Sequence, residues 1–120
     1  MKTTLRLTIA LLVSGIAAVA ADVAGDWKLD GSIGQFPVDI VCSLKEDGTK
    51  ITGVCKGSDI GEVPLKGEKD GDSLKWSYDV NFQGQQFTIV YSATLDSPSA
   101  MKGSISVAGN VSGSFNGKKQ

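Results

Sequence analysis

From Trp27 onward the chain alternates apolar and polar residues with a period of two. Trp27 and Leu29, followed by Ile33, open the pattern. Val38, Ile40, Cys42 and Leu44 alternate with Asp39, Val41 and Ser43. Ile51, Gly53 and Cys55 follow, and Val63 and Leu65 flank Pro64. Leu74, Trp76, Tyr78 and Val80 alternate with Lys75, Ser77 and Asp79. Phe87, Ile89, Tyr91, Ala93 and Leu95 make the longest run. Met101, Gly103, Ile105 and Val107 form the seventh segment, and Val111, Gly113 and Phe115 the last. A period of two places one apolar face on a β-strand, so the pattern predicts eight strands. No stretch after residue 20 carries a convincing helical period of 3.6.

Turn chemistry separates the runs: Glu46-Asp47-Gly48, Asp70-Gly71-Asp72, Gln83-Gly84, Ser97-Pro98-Ser99 and Gly109-Asn110. Gly and Asn tolerate positive φ, and Pro pre-sets φ for a turn. Short connections throughout favour a meander, and an even meander can close and leave no edge. The expected fold is all-β: a single small antiparallel up-and-down β-barrel of about eight strands, with a β-sandwich as the alternative.

One hairpin can be placed in register. A two-residue turn at Asp47-Gly48 sets Glu46 opposite Thr49, Leu44 opposite Ile51, Cys42 opposite Gly53 and Ile40 opposite Cys55. Cys42 and Cys55 are then diagonal neighbours on one face, at a distance that a modest adjustment bridges. The same register sets Val41 against Val54 on the outer face, which reads as β-branched pairing, with a self-association patch that adds Val90 as the other reading. Ile51-Thr52-Gly53, Met101-Lys102-Gly103 and Val111-Ser112-Gly113 each place glycine at an inward position. Such glycines mark a sharp bend or close backbone approach, as a small barrel needs. Room for a ligand is the competing explanation.

The first residues do not share the pattern. Lys2 and Arg6 precede an uncharged run, Leu7 to Val19, that ends in Ala18-Val19-Ala20-Ala21. This is the basic, apolar, small-residue order of a secretory signal peptide. The run is too short for a comfortable membrane span and is interrupted by Ser14 and Gly15. Residues 1–20 are therefore read as a signal peptide and 21–120 as the β-barrel domain, secreted or periplasmic and free of the membrane after cleavage. Both cysteines lie in the exported part, where an even count favours a disulfide.

Composition narrows the chemistry. Without Lys2 and Arg6 the 12 basic side chains fall to 10, all lysine, against 13 acidic ones, a net charge of −3. An acidic domain without arginine is a poor partner for nucleic acid. There is no histidine among the 120 residues, which excludes Ser-His-Asp and Cys-His catalysis and histidine-ligated metals. No G-x-S-x-G elbow is present. Glu68, Asp70 and Asp72 read as solvated turn residues and lack the frame of an EF-hand. Asn110-Val111-Ser112 matches a glycosylation acceptor and is expected to be unused. The expectation is no enzyme, no cofactor and no metal.

Gly25-Asp26-Trp27 resembles the Gly-x-Trp opening of lipocalins and avidin-type proteins, the calycin group. Lys50-Ile51-Thr52-Gly53-Val54 is similar to the second hairpin arm of that architecture, and the cadence of the whole mature chain is similar to that of small secreted bacterial domains. The resemblance implies a barrel, and a structural Trp27 packed at its closed end. It does not carry over a ligand: the helix that follows a lipocalin barrel and the several tryptophans of an avidin-type site have no counterpart here. The interior expected from the alternation holds Trp27, Trp76, Tyr78, Phe87, Tyr91 and Phe115. Trp76, Tyr78, Phe87, Ile89 and Tyr91 are the candidate lining for a small apolar or amphipathic ligand in the barrel mouth, with the tyrosine hydroxyls as its polar groups. The alternative is a solid-cored interaction module, an inhibitor or accessory domain of a secreted hydrolase.

Overall fold

The computed structural model describes residues 22–120, so the expected signal peptide lies outside the described residues. Eight strands follow in order: β1 (Gly25–Ile33), β2 (Phe36–Asp47), β3 (Lys50–Gly57), β4 (Gly61–Asp70), β5 (Ser73–Phe82), β6 (Gln85–Ser97), β7 (Ala100–Val107) and β8 (Asn110–Lys119). Each pairs antiparallel with the next. β8 returns to β1 from Trp27↔Lys119 to Ile33↔Gly113, and the sheet closes into a barrel. The sandwich alternative is thereby removed. Closure uses a segment with no apolar signature: the polar tail after Phe115 continues β8, with Gly117 between Leu29 of β1 and Met101 of β7.

The hairpin register differs from the expected one. The loop between β2 and β3 is Gly48-Thr49, so Asp47 pairs with Lys50, Leu44 with Gly53 and Cys42 with Cys55. Gly48, at φ 63°, takes the first loop position. A two-residue type II′ turn asks for glycine there, because its twist matches that of the strands. The pairing moves by two residues, which preserves every face and changes every partner. Cys42 and Cys55 are consequently directly opposite, with Cα atoms 4.0 Å apart, and form a disulfide in the core. Val41 faces Lys56, and Val54 lies between Ser43 and Pro64, so the expected valine pair does not form.

The inward glycines shape the wall. A Cβ on Gly103 would lie 1.8 Å from the Ser92 carbonyl oxygen, one on Gly53 1.9 Å from that of Ser43, and one on Gly113 1.9 Å from that of Ser32. The neighbouring backbone occupies that space, which settles these positions as sites of close strand approach. Two further glycines face aromatic rings across the ladder, Gly67 opposite Trp76 and Gly31 opposite Phe115. The rings cover backbone that a glycine leaves bare.

Hairpin order gives the barrel two unlike ends. The end that carries the loops at 48–49, 71–72 and 98–99 is sealed. Trp27 is fully buried there, and its Nε1 donates to the Val23 carbonyl at 2.9 Å. The backbone N–H of Val23 donates to Glu46 Oε1 at 3.0 Å, and Lys69, only 7% exposed, places its ammonium 3.5 Å from Glu46 Oε2. The segment preceding β1 is thus folded across this end as a plug. Trp27 is structural, as the resemblance implied. Alternation around Pro64 marked only Val63 and Leu65; β4 runs on to Asp70 and turns Gly67 and Lys69 inward, because strand parity acts on position and not on polarity.

Candidate functional site

The opposite end carries the loops at 34–35, 58–60, 83–84 and 108–109. Here the lumen-facing stripe continues past the point where the barrel covers it. Ile33, Val38, Ile60, Val63, Val80 and Val107 are half-buried around the core. Beyond them Phe36 is 74% exposed and Phe82 61% exposed. Both share strand parity with buried residues, Phe36 with Ile40 and Cys42, Phe82 with Tyr78 and Trp76. They therefore stand over the lumen and not on the outer wall. Three of the four hairpins bring no charge within two residues of their turns; the fourth carries Asp59, with Lys56 and Glu62 paired at 3.4 Å beside it. Charged turns predominate at the sealed end, so this end is a mostly apolar mouth with one charged turn, at Asp59.

Below the mouth the barrel is filled. The Trp76 and Tyr91 rings stack with centroids 5.3 Å apart and 6° between planes, and Phe115 meets both edge-on at 6.0 and 5.3 Å. Tyr78 leans on Tyr91 at 5.6 Å, and their hydroxyls hydrogen-bond at 2.6 Å. Burial raises the pKa of Tyr78, against the opposing effect of its hydrogen bond. Burial, then the nearby Tyr78, raises that of Tyr91. Both phenols are therefore neutral throughout the physiological range. Trp76 Nε1 is buried and has no hydrogen-bond partner among the described residues.

The five residues expected to line a ligand all lie on one wall, where Trp76 pairs with Tyr91, Tyr78 with Ile89 and Val80 with Phe87. Within that wall they sit at different depths. Trp76 and Tyr91 belong to the packed middle, Tyr78 and Ile89 are buried nearer the mouth, and Phe87 is half-buried. The rest of the mouth, with Phe36 and Val38 on β2 and Ile60 in the loop between β3 and β4, was not singled out from sequence. Phe36 and Phe82 do carry a signal in the sequence: each is an apolar residue of inward parity directly beside an uncharged turn.

The wall itself is split. Pairing between β4 and β5 stops at Lys66↔Ser77. Beyond it β4 continues as Gly61–Leu65 and β5 as Tyr78–Phe82, each paired only with its other neighbour. Elsewhere one strand merely outruns its partner, as the stagger of a barrel requires; here both strands continue and separate. Pro64 explains the break. The Lys69 N–H bonds to the carbonyl of Thr49, the loop residue that leads into β3, so by alternation the even positions of β4 aim at β5. Pro64 is the next even position after Lys66 and has no N–H to donate. The resulting cleft, about 490 Å³, is lined by Pro64, Leu65, Lys66, Ser77, Tyr78, Asp79 and Thr88. Leu65 and Tyr78 reach it from the interior.

Fold and site together define a closed eight-stranded up-and-down barrel with one plugged end and one apolar mouth. Among solved structures the chain is similar to the redesigned β-barrel b11L5F_LGL, with TM-score 0.61 and 14% identity over 82% of this chain and 91% of that one. It is also similar to the redesigned β-barrel mFAP1, bound to DFHBI, with TM-score 0.57 and 13% identity over 82% of this chain and 94% of that one. At this identity the likeness is one of fold. No protein-family model and no curated protein matches the chain.

Proposed function

We propose that this is an exported, non-enzymatic, calycin-like barrel that binds a small apolar or amphipathic molecule in its mouth. The observation that carries the reading is the uncovered lumen-facing stripe. Phe36 and Phe82 stand over a lumen rimmed by half-buried aliphatics and by four turns of which three are uncharged. Covering an exposed phenylalanine contributes roughly 1.5–3 kcal/mol, so a ligand seated there removes a standing cost. The disulfide supports an oxidising compartment. A barrel of similar fold binds DFHBI, so such a scaffold is compatible with a ligand. The filled lower barrel limits the site to its upper part, where Tyr78, Ile89 and Phe87 adjoin the mouth.

The protein-interaction reading draws on the same two phenylalanines, which an inhibitor or accessory module would press against a partner. Titration of the oxidised protein with naphthalene-based probes, followed by tryptophan fluorescence, separates the two. Ligand binding predicts a saturable change at one site per chain, weakened tenfold or more by Phe82→Asp. No change at saturating probe would refute the reading.

A further inference from the structure

At the floor of the mouth the hydroxyl pair leaves one phenolic proton uncommitted among the described residues. Tyr78 and Tyr91 bond only to each other among the described residues, so one hydroxyl donates and the other keeps its proton. Trp76, whose ring stacks on Tyr91, adds a buried indole N–H without an acceptor. A buried donor left unmatched is unfavourable, because it has given up its hydrogen bond to water and gained none. Charge is arranged differently: the buried lysine of the lumen, Lys69, is at the sealed end with Glu46. The inward residues near the mouth are aliphatic or aromatic. An ion brought to the buried hydroxyl pair would lose its water among aliphatic and aromatic side chains, the charged Lys66 and Asp79 standing in the cleft that leads to it.

We propose that the ligand is uncharged and presents a hydrogen-bond acceptor, a carbonyl, ether or hydroxyl oxygen, to the Tyr78–Tyr91 pair, and that the cleft between β4 and β5 gives it access. Tyr78 is the residue common to the hydroxyl pair and the cleft lining. Pro64 keeps that seam open, so a planar molecule can lie across the mouth with its polar atom beside Tyr78. This inference rests on the mouth reading and adds the chemistry of the ligand's buried end.

Four naphthalenes of nearly one shape test it by calorimetry on the oxidised protein: 2-acetylnaphthalene, 2-isopropenylnaphthalene, 2-naphthoate and 2-naphthylmethylammonium. The ketone is expected to bind at least about tenfold more tightly than the other three, the yield of one hydrogen bond of roughly 1.4 kcal/mol. Y78F and Y91F singly each leave one hydroxyl and retain most of the preference; the double variant abolishes it. The infrared carbonyl stretch of the ketone, measured on wild type, moves to lower frequency on binding and does not depend on any variant folding. Equal affinity for ketone and hydrocarbon, an unshifted carbonyl or tighter binding of either ion overturns the inference while leaving the mouth reading in place. Binding of none of the four overturns both.

Discussion

Replacing Gly103 by alanine tests whether the inward glycines are structural. The added Cβ would lie 1.8 Å from the Ser92 carbonyl oxygen and 2.7 Å from the Ala93 Cα, where ordinary contact begins at 3.4 Å. The β6 backbone must retreat by about 1.6 Å, and no flexible side chain can give way instead. That movement exceeds the slack of a ladder hydrogen bond. Overpacking costs roughly 1–3 kcal/mol, and each bond lost from the β6–β7 ladder about 1 more. The expected loss is about 3 kcal/mol, a large part of the roughly 5–15 kcal/mol that holds a domain together. Urea unfolding should show a lower midpoint with the same slope, and the melting temperature should fall by roughly 15 °C. Gly34→Ala is the control: its Cβ meets nothing within 4 Å, and only the φ of 60° is disfavoured, about 1–2 kcal/mol. A Gly103→Ala protein as stable as this control, with tighter binding or no binding of probes, would show that the glycine reserves space and not strand contact.

Reduction of Cys42–Cys55, or Cys42→Ser with Cys55→Ser, should cost about 3 kcal/mol for a loop of this length, read as a fall in urea midpoint; an unchanged midpoint contradicts the chain-entropy account. Lys69→Met leaves Glu46 without its cation at the plugged end and should cost about 1–3 kcal/mol, discounted for the partial exposure of Glu46; a more stable variant would show that the pair serves register and not stability. Both buried phenols have folded pKa values above the ordinary 10.0. Their contribution is therefore fully present below pH 10 and is lost as pH rises above it, because the unfolded chain releases those protons first. Alkaline titration followed by ultraviolet absorbance should show the two tyrosine ionisations together with unfolding; either phenol titrating near pH 10 in the folded protein contradicts the buried pair. Trp27→Phe removes the hydrogen bond to Val23 and should raise amide exchange at Val23, with little effect at the mouth.

Much of the fold was legible because strand parity is local. Each apolar residue at alternate positions had to face inward, whichever partner it met, and the move of two residues in the β2–β3 register left the inward set intact. The turns were legible where glycine is forced by φ. The aromatic wall of the candidate site, Trp76 to Tyr91, stood out in the sequence; Val38 and Ile60 carry no chemical mark, and Phe36 and Phe82 lie at strand ends where the alternation runs out. Lys69 was hidden for the opposite reason: a lysine on an inward position contradicts polarity, and only a partner from a distant strand makes it tolerable.

The sequence by itself determined an all-β meander, its inward faces and its turn-forming glycines, because these depend on neighbours two or three residues apart. The tertiary structure decided that Cys42 and Cys55 stand directly opposite, which end is plugged and which is open, and where the wall splits. Those features depend on stagger accumulated around a closed sheet and on contacts between residues far apart in the chain. Pro64 shows the division: its missing donor is written in the sequence, but its effect on the β4–β5 seam exists only once parity has turned that position toward β5.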